Sequence, residues 1–349
     1  MDDPRITRTI REPSERPRPP RPPRPSLSGG PQNQESRFTP IDFPEFCKMK
    51  IEPRAMLMKP ILREKGALMI FSYRGVGKTH VGAGIAYAAA SGTKFLKWEA
   101  PKPYRVLLID GEMPAADLQE RYKAIVAGQS VVPAPGMFQI LAADQMDFGI
   151  GNLADPKIQK EISQLVGALK TSLLILDNLS SLAAVIRDSD QESWNTIQAW
   201  ILELRRCGVA VIILHHAGKS GEQRGTSRRE DVLDTSVKLC HPVDYLPSEG
   251  ARFEVHIEKG RGLHGDDAKP FEARLSNDGR GAYVWTVKEL DDVNKSRVAT
   301  LMEDGLSVRD IAEETGLSKS TVQRLKTQIE VESKAANEAA TRPRSQPQG

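Results

Sequence analysis

The sequence predicts an α/β fold built on a mainly parallel central sheet, on three observations. Apolar runs of strand length alternate with segments of helical period through residues 67–215. Some runs are apolar without interruption, as in Leu173-Leu174-Ile175-Leu176, which suits strands covered by helices on both faces. One strand–helix junction carries the glycine loop Ser72-Tyr73-Arg74-Gly75-Val76-Gly77-Lys78-Thr79.

Taken in order, residues 1–38 hold nine prolines and eight arginines with few large apolar side chains. They cannot bury enough surface to offset their ordering entropy and read as a disordered, solvated arm. Phe43, Phe46, Met56, Leu57, Ile61 and Leu62 then form an amphipathic lead-in, expected to pack beside the core and frame a nucleotide base. Strands are predicted at 67–71, 105–110, 138–142, 172–177 and 209–215, and helices at 78–91, 115–126, 156–169 and 191–207. Shorter strands at 237–240, 251–258, 271–275 and 282–287 are expected to extend the sheet as an antiparallel edge. A short helix at 297–303 precedes two further helices over 307–326. The resulting division is a disordered arm at 1–38, a core domain at 39–290, a small all-α domain at 291–331 and a disordered tail at 332–349.

Composition narrows the class. With 39% hydrophobic and 27% charged residues the chain reads as soluble and globular. No run reaches the ~18 apolar residues of a membrane helix, and the Pro/Arg start lacks a signal-peptide core, so a cytoplasmic, membrane-free protein is expected. The three cysteines, Cys47, Cys207 and Cys240, are far apart in sequence and fit neither a disulfide framework nor metal spacing. The net charge of +3 is all carried by residues 1–38, so any nucleic-acid contact by the folded part must come from local patches.

The order strand, glycine loop, Lys-Thr, helix is what a phosphate-binding P-loop requires. Gly75 and Gly77 let the backbone take positive φ and approach an anion, while loop and helix N–H groups supply partial positive charge. Arg74, Gly75, Val76, Gly77, Lys78, Thr79 and His80 are the expected nucleotide-binding set. Lys78 would reach the β- and γ-phosphate oxygens of ATP, and the Thr79 hydroxyl would ligate Mg²⁺. Ser72 stands where the pattern has its first glycine. Asp177, closing a buried strand after a P-loop, reads as the acid that holds Mg²⁺ with Thr79. Glu112 follows the strand 105–110 at its carboxyl end, where a carboxylate can orient and deprotonate water.

Three further sites are read from position. His215 and His216 end another strand and point to opposite faces, so they do not form a metal pair; a polar side chain at this strand end can touch a γ-phosphate and report its hydrolysis. Lys219 and Arg224 lie in a basic loop suited to single-stranded DNA phosphates. Lys259 and Arg261, two apart on a late strand, could reach a neighbour's γ-phosphate if the protein forms a ring.

Through Gly75-Val76-Gly77-Lys78-Thr79, Glu112-Met113-Pro114, Leu176-Asp177, His215-His216 and Lys259-Gly260-Arg261-Gly262, the chain resembles RecA-type P-loop ATPases of the AAA family, close to plasmid RepA and the DnaB-like ring helicases. The resemblance spans about residues 50–290 and implies a RecA-like core, ATP and Mg²⁺ as ligands, DNA as partner and a homo-oligomer, a hexamer. It implies Glu112 as catalytic base and His216 or its neighbour as the coupling residue. Lys259 and Arg261 would act in trans, with Lys238 or Arg228 as competing fingers. Where DnaB-like helicases carry a primase-binding domain, this sequence has the Pro/Arg arm.

The end of the chain resembles a helix-turn-helix. Ile311, Ala312, Leu317, Val322 and Leu325 fall at packing positions, Gly316 at the turn and Ser318 at a cap. Lys319, Ser320, Thr321 and Arg324 are then the residues expected to face duplex DNA. These readings imply an ATP-hydrolysing DNA motor of a plasmid or mobile element. Two other readings remain open: a RecA-like recombination accessory that does not unwind, and an ATP-regulated DNA-binding regulator.

Overall fold

The computed structural model describes residues 39–183, 191–217 and 232–341. The chain divides into two units, Met1–Glu52 and Pro53–Gly349. In the first, α1 (Phe43–Lys48) buries none of its residues, and Phe43 and Phe46 are exposed rather than packed as the lead-in pattern implied. Six residues make under two turns, too short to hold an amphipathic face by helix propensity alone.

The second unit opens with β1 (Met56–Met58) and β2 (Leu62–Arg63), a small antiparallel pair that buries Leu57, Met58, Ile61 and Leu62. There follow β3 (Ala67–Ser72), α2 (Lys78–Ser91), the pair β4 (Lys94–Phe95) and β5 (Trp98–Glu99), β6 (Val106–Asp110), α3 (Ala115–Ala127) and β7 (Phe138–Ala142). Next come α4 (Pro156–Ala168), β8 (Leu173–Asp177), α5 (Leu179–Leu182), α6 (Gln191–Arg206) and β9 (Ala210–His216). β10 (Thr235–Cys240), β11 (Arg252–Gly260), β12 (Phe271–Asn277) and β13 (Tyr283–Glu289) complete the strands, and α7 (Leu290–Glu303), α8 (Val308–Thr315) and α9 (Lys319–Thr341) end the unit.

Among the described residues, nine strands form one sheet in the order β13-β12-β11-β10-β3-β9-β8-β6-β7. Strands from β10 to β7 run parallel, and β11, β12 and β13 add an antiparallel meander. The uninterrupted apolar strands are explained by two covered faces. Leu68, Ile70, Leu108, Ile175 and Ile212 pack with α2 on one side. Met69, Leu107, Ile109, Leu174, Leu176 and Ile213 pack with Trp194, Ile197, Trp200 and Ile201 of α6 and with α4 on the other. Alternation of side chains along each strand divides one apolar run between two cores.

Three boundaries differ from the sequence reading. β10 is not part of the antiparallel edge: Thr235 aligns with Leu68 and Leu239 with Ser72, parallel to β3. β9 ends at the carboxyl edge of the sheet and β10 begins at the amino edge, so both run parallel to β3. α7 begins at Leu290, a full turn and more before the expected start, with Asp291 and Asp292 in the first turn where acidic side chains complement the helix dipole. α9 continues to Thr341 instead of ending near residue 331. Its Ala-, Glu- and Lys-containing extension favours helix and meets no proline before Pro343.

The closing helices pack around Val298, Ile311, Val322 and Leu325, with Ala312 and Leu317 partly buried against them. α8 starts with a capping box in which Ser307 and Asp310 exchange hydrogen bonds, and Ser318 Oγ accepts from the Thr321 N–H at 3.1 Å at the start of α9.

The close approach of α2 to the β4–β5 pair gives a direct test. A Cβ on Gly84 would lie 2.1 Å from the Phe95 ring, which is held among Trp98 and Trp285. Gly84→Ala should therefore destabilise by about 1–3 kcal/mol through overpacking, against the ~1 kcal/mol gain of the same change in an unhindered helix. Urea unfolding decides the sign; a raised midpoint would refute this packing.

Candidate functional site

The site lies at the carboxyl ends of β3, β6, β8 and β9. β3 ends at Ser72, the glycine loop turns back, and α2 begins at Lys78. Gly75 has φ +81° and Gly77 φ +130°, and a Cβ on Gly77 would strike the Phe253 ring at 2.8 Å, so that position requires glycine twice over. Lys78 is 5% exposed, and its Nζ donates to Ser72 O (3.3 Å), Ser72 Oγ (3.1 Å) and Tyr73 O (3.2 Å). The serine in place of the first glycine thus supplies an acceptor that holds the lysine inside the loop. Burial lowers the Lys78 pKa to about 8, with Asp177 and Glu112 opposing the shift.

The side chains of the loop set differ in their surroundings. Val76 packs in the core. His80 stands edge-on to Tyr283 at 5.6 Å, and burial together with the Arg121 charge lowers its pKa to about 4. The His80 side chain belongs to the packing of α2. Arg74 and Gly75 are exposed at the loop tip, and Thr79 is half-buried.

Opposite the loop, Asp110 and Asp177 are register partners on adjacent strands and are 1% and 3% exposed. Burial first, then the Asp110 charge, raises the Asp177 pKa to about 7, while a hydrogen bond from Thr79 opposes this. Asp110 Oδ1 accepts the N–H groups of Glu112 (2.9 Å) and Met113 (2.7 Å), fixing the loop that carries Glu112. Its Oδ2 is buried with no partner among the described residues, and desolvation raises its pKa too. This is a set of hard oxygen donors short of positive charge, with a threonine hydroxyl bonded to one of them. It fits Mg²⁺, which takes carboxylate, hydroxyl and phosphate oxygens.

Asn178 joins the remaining pieces. Only 2% exposed, it donates from Nδ2 to Glu112 Oε2, and the same nitrogen is 3.3 Å from His216 Nε2. His216 Nε2 is 3.8 Å from Glu112 Oε2. Glu112 is itself 58% exposed and open to water. Burial and the Lys78 charge lower the His216 pKa. His215 is buried and lies on the other face. Asp110 and Asn178 were not singled out in the sequence. The signals present are Asp-Gly-Glu closing β6 and Asn178 capping α5, where its Oδ1 accepts from the Ser181 N–H at 3.1 Å.

Other expected residues lie elsewhere. Lys259 aligns with Ser236 and Gly260 with Thr235, at the amino edge and so across the sheet from the P-loop of the same chain. The Arg261 N–H donates to Asp234 O at 2.8 Å, and its guanidinium is 3.9 Å from the Asp234 carboxylate. Lys238 is 3.9 Å from Glu258. Lys219, Arg224 and Arg228 fall outside the described residues. In α9, Lys319 and Ser320 are exposed, Thr321 Oγ1 is 2.8 Å from Ser318 Oγ, and Arg324 donates to Asp291 at 3.3 Å, which turns it toward α7.

The buried carboxylate sets a pH dependence for metal- and nucleotide-free protein. Asp177 titrates at about 7 in the fold and near ~3.9 when unfolded. Between those values the folded state binds more protons, so this group's contribution falls as pH rises. The unfolding free energy of wild type minus that of Asp177→Asn should decline from pH 4 to 7 in urea melts. A flat difference would contradict the buried charge.

The family model described as AAA domain matches residues 32–222, just over half of the chain. Curated protein sequences give no match. Among solved structures, a KaiC-like protein from the hyperthermophilic archaeon Pyrococcus horikoshii OT3 is similar, with 16% identity and a TM-score of 0.49 over 67% of this chain and 99% of that one. The match spans the P-loop, both strand-end aspartates and His216, and the chain belongs to the AAA-domain family of P-loop ATPases.

Proposed function

We propose that this ATPase is a DNA-associated motor, a RepA/DnaB-like replicative helicase of a plasmid or mobile element that works in the cytoplasm as a homo-oligomeric ring, a hexamer. The observation that carries the reading is the arrangement at the carboxyl edge. Lys78 and the Thr79–Asp177 pair face one another, and Glu112 and His216 meet through Asn178. A water-accessible carboxylate tied to a histidine suits hydrolysis coupled to a neighbouring loop better than nucleotide binding alone.

In this mechanism the loop N–H groups and Lys78 bind the phosphates of ATP, Lys78 exchanging Ser72 for β- and γ-phosphate oxygens. Thr79 and Asp177 would hold Mg²⁺, which supplies charge neutralisation at the phosphates when bound. Glu112, aligned by Asp110 and Asn178, orients a water and takes its proton as the water attacks the γ-phosphorus in line. His216, sharing Asn178 with Glu112, registers loss of the γ-phosphate and passes it to the basic chain that follows, where Lys219 and Arg224 would meet single-stranded DNA. Lys259 and Arg261, across the sheet from their own P-loop, would serve a neighbouring subunit. Residues 39–290 form the motor and 291–331 a helix-turn-helix that would dock duplex DNA through Lys319, Ser320, Thr321 and Arg324.

The test is ATPase rate and particle size with and without single-stranded DNA, followed by strand displacement. The reading requires an assembly whose turnover rises with DNA and that displaces a strand. Turnover without displacement would identify a recombination accessory. Tight duplex binding with DNA-insensitive turnover would identify a regulator, and a DNA-insensitive monomer would remove the motor.

Glu112→Gln should bind ATP with affinity close to wild type and lose turnover by about 10²–10⁴-fold. Nucleotide binding by fluorescence and phosphate release measure the two separately, and normal release would exclude Glu112 as the base.

A further inference from the structure

Outside the nucleotide site, three unlike donor groups converge on the antiparallel extension of the sheet. Cys240, the last residue of β10, aligns with Glu254 of β11. Glu254 and His256, two apart, project to the same face. Leu239 and Val255 enter the core shared with α2, so the three lie on the opposite face. His256 Nε2 is 3.0 Å from Glu254 Oε2, and Cys240 Sγ is 4.0 Å from the same oxygen. Sulfur, nitrogen and oxygen all lie within 4.8 Å of one another, and all three residues are half-buried.

These separations suit one shared ion. With metal–ligand bonds of 2.0–2.3 Å, tetrahedral geometry puts ligand atoms roughly 3.3–3.6 Å apart. The contacts at 3.0 and 4.0 Å bracket that range. The second oxygen, Glu254 Oε1, is 3.9 Å from Arg297 Nη1, a charge contact at the oxygen the other two donors do not approach. Outer partners of this kind hold metal ligands in place. The thiol donates to the same carboxylate oxygen that contacts the imidazole, so all three donor groups already converge on one point.

We propose that Cys240, Glu254 and His256 form a binding site for a divalent transition metal of the zinc class. A thiolate, an imidazole and one carboxylate favour Zn²⁺ or Co²⁺ over Mg²⁺. Three protein ligands leave a fourth position for water. None of the three takes part in the nucleotide site. Through Arg297, which also contacts Asp244 and Glu272, the site touches the network that fastens α7 to the sheet.

The experiment is titration of the full-length chain, stripped with chelator, with Co²⁺ in excess Mg²⁺. One equivalent should bind with a thiolate-to-cobalt charge-transfer band that Zn²⁺ displaces. Cys240→Ser should abolish the band, His256→Ala should weaken binding at least tenfold, and Arg297→Gln should weaken it about tenfold. Cys47 and Cys207 are exposed, and their double serine variant should keep the band. No band in wild type, its persistence in Cys240→Ser, or its loss in the double variant overturns the proposal. The double variant changes surface positions only, so the test stands even if Cys240→Ser fails to fold.

Discussion

The carboxyl edge of the sheet depends on keeping one lysine and two carboxylates out of water. An unpaired buried charge costs several kcal/mol, and each of these three is only partly compensated. Lys78 has three oxygen acceptors, two of them from Ser72. Asp110 has two backbone donors on one oxygen and no described partner on the other. Asp177 has the Thr79 hydroxyl. The deficit is one of positive charge at the acids and negative charge at the lysine, which a nucleotide phosphate and its cation would supply together. Both acids close strands covered on two faces, and Lys78 opens the helix that follows β3.

The amino edge is built differently. Asp234 accepts from the Ala67 N–H at 3.1 Å and from Arg205 Nη2 at 2.8 Å, while Arg205 also donates to Val232 O and Lys65 O. Arg54 and Arg261 stand 3.6 Å and 3.9 Å from the same carboxylate. One acid thereby ties the start of β3 to α6 and to the end of β11. A second hub, Glu272 with Arg252 and Arg297, ties the meander to α7. Half-buried ion pairs of this sort add little net stability over apolar packing, while removal of one partner alone is costly.

Much of the candidate site was legible in the chain because its signals are local. Glycine loop, Lys-Thr and the acid closing β8 are contiguous motifs, and their chemistry follows from spacing along one strand–helix junction. Asn178 and Asp110 were not legible in the same way. Each acts on a residue held by another segment or by a turn, and a strand-end aspartate or a helix-capping asparagine occurs for ordinary reasons throughout proteins. The cluster of Cys240, Glu254 and His256 was invisible for a related reason: Cys240 meets the other two only through strand pairing.

The sequence by itself determined the alternation of strands and helices, the doubly buried parallel sheet and the phosphate loop, since periodicity and turn chemistry are properties of neighbouring residues. Only the tertiary structure decided that β10 lies parallel beside β3, that His80 turns into the packing of α2, and that Ser72 anchors Lys78. It also decided that Lys259 and Arg261 stand at the edge remote from their own P-loop. Those outcomes depend on register and on which surface covers which, and the energies that select them act between segments far apart in the chain.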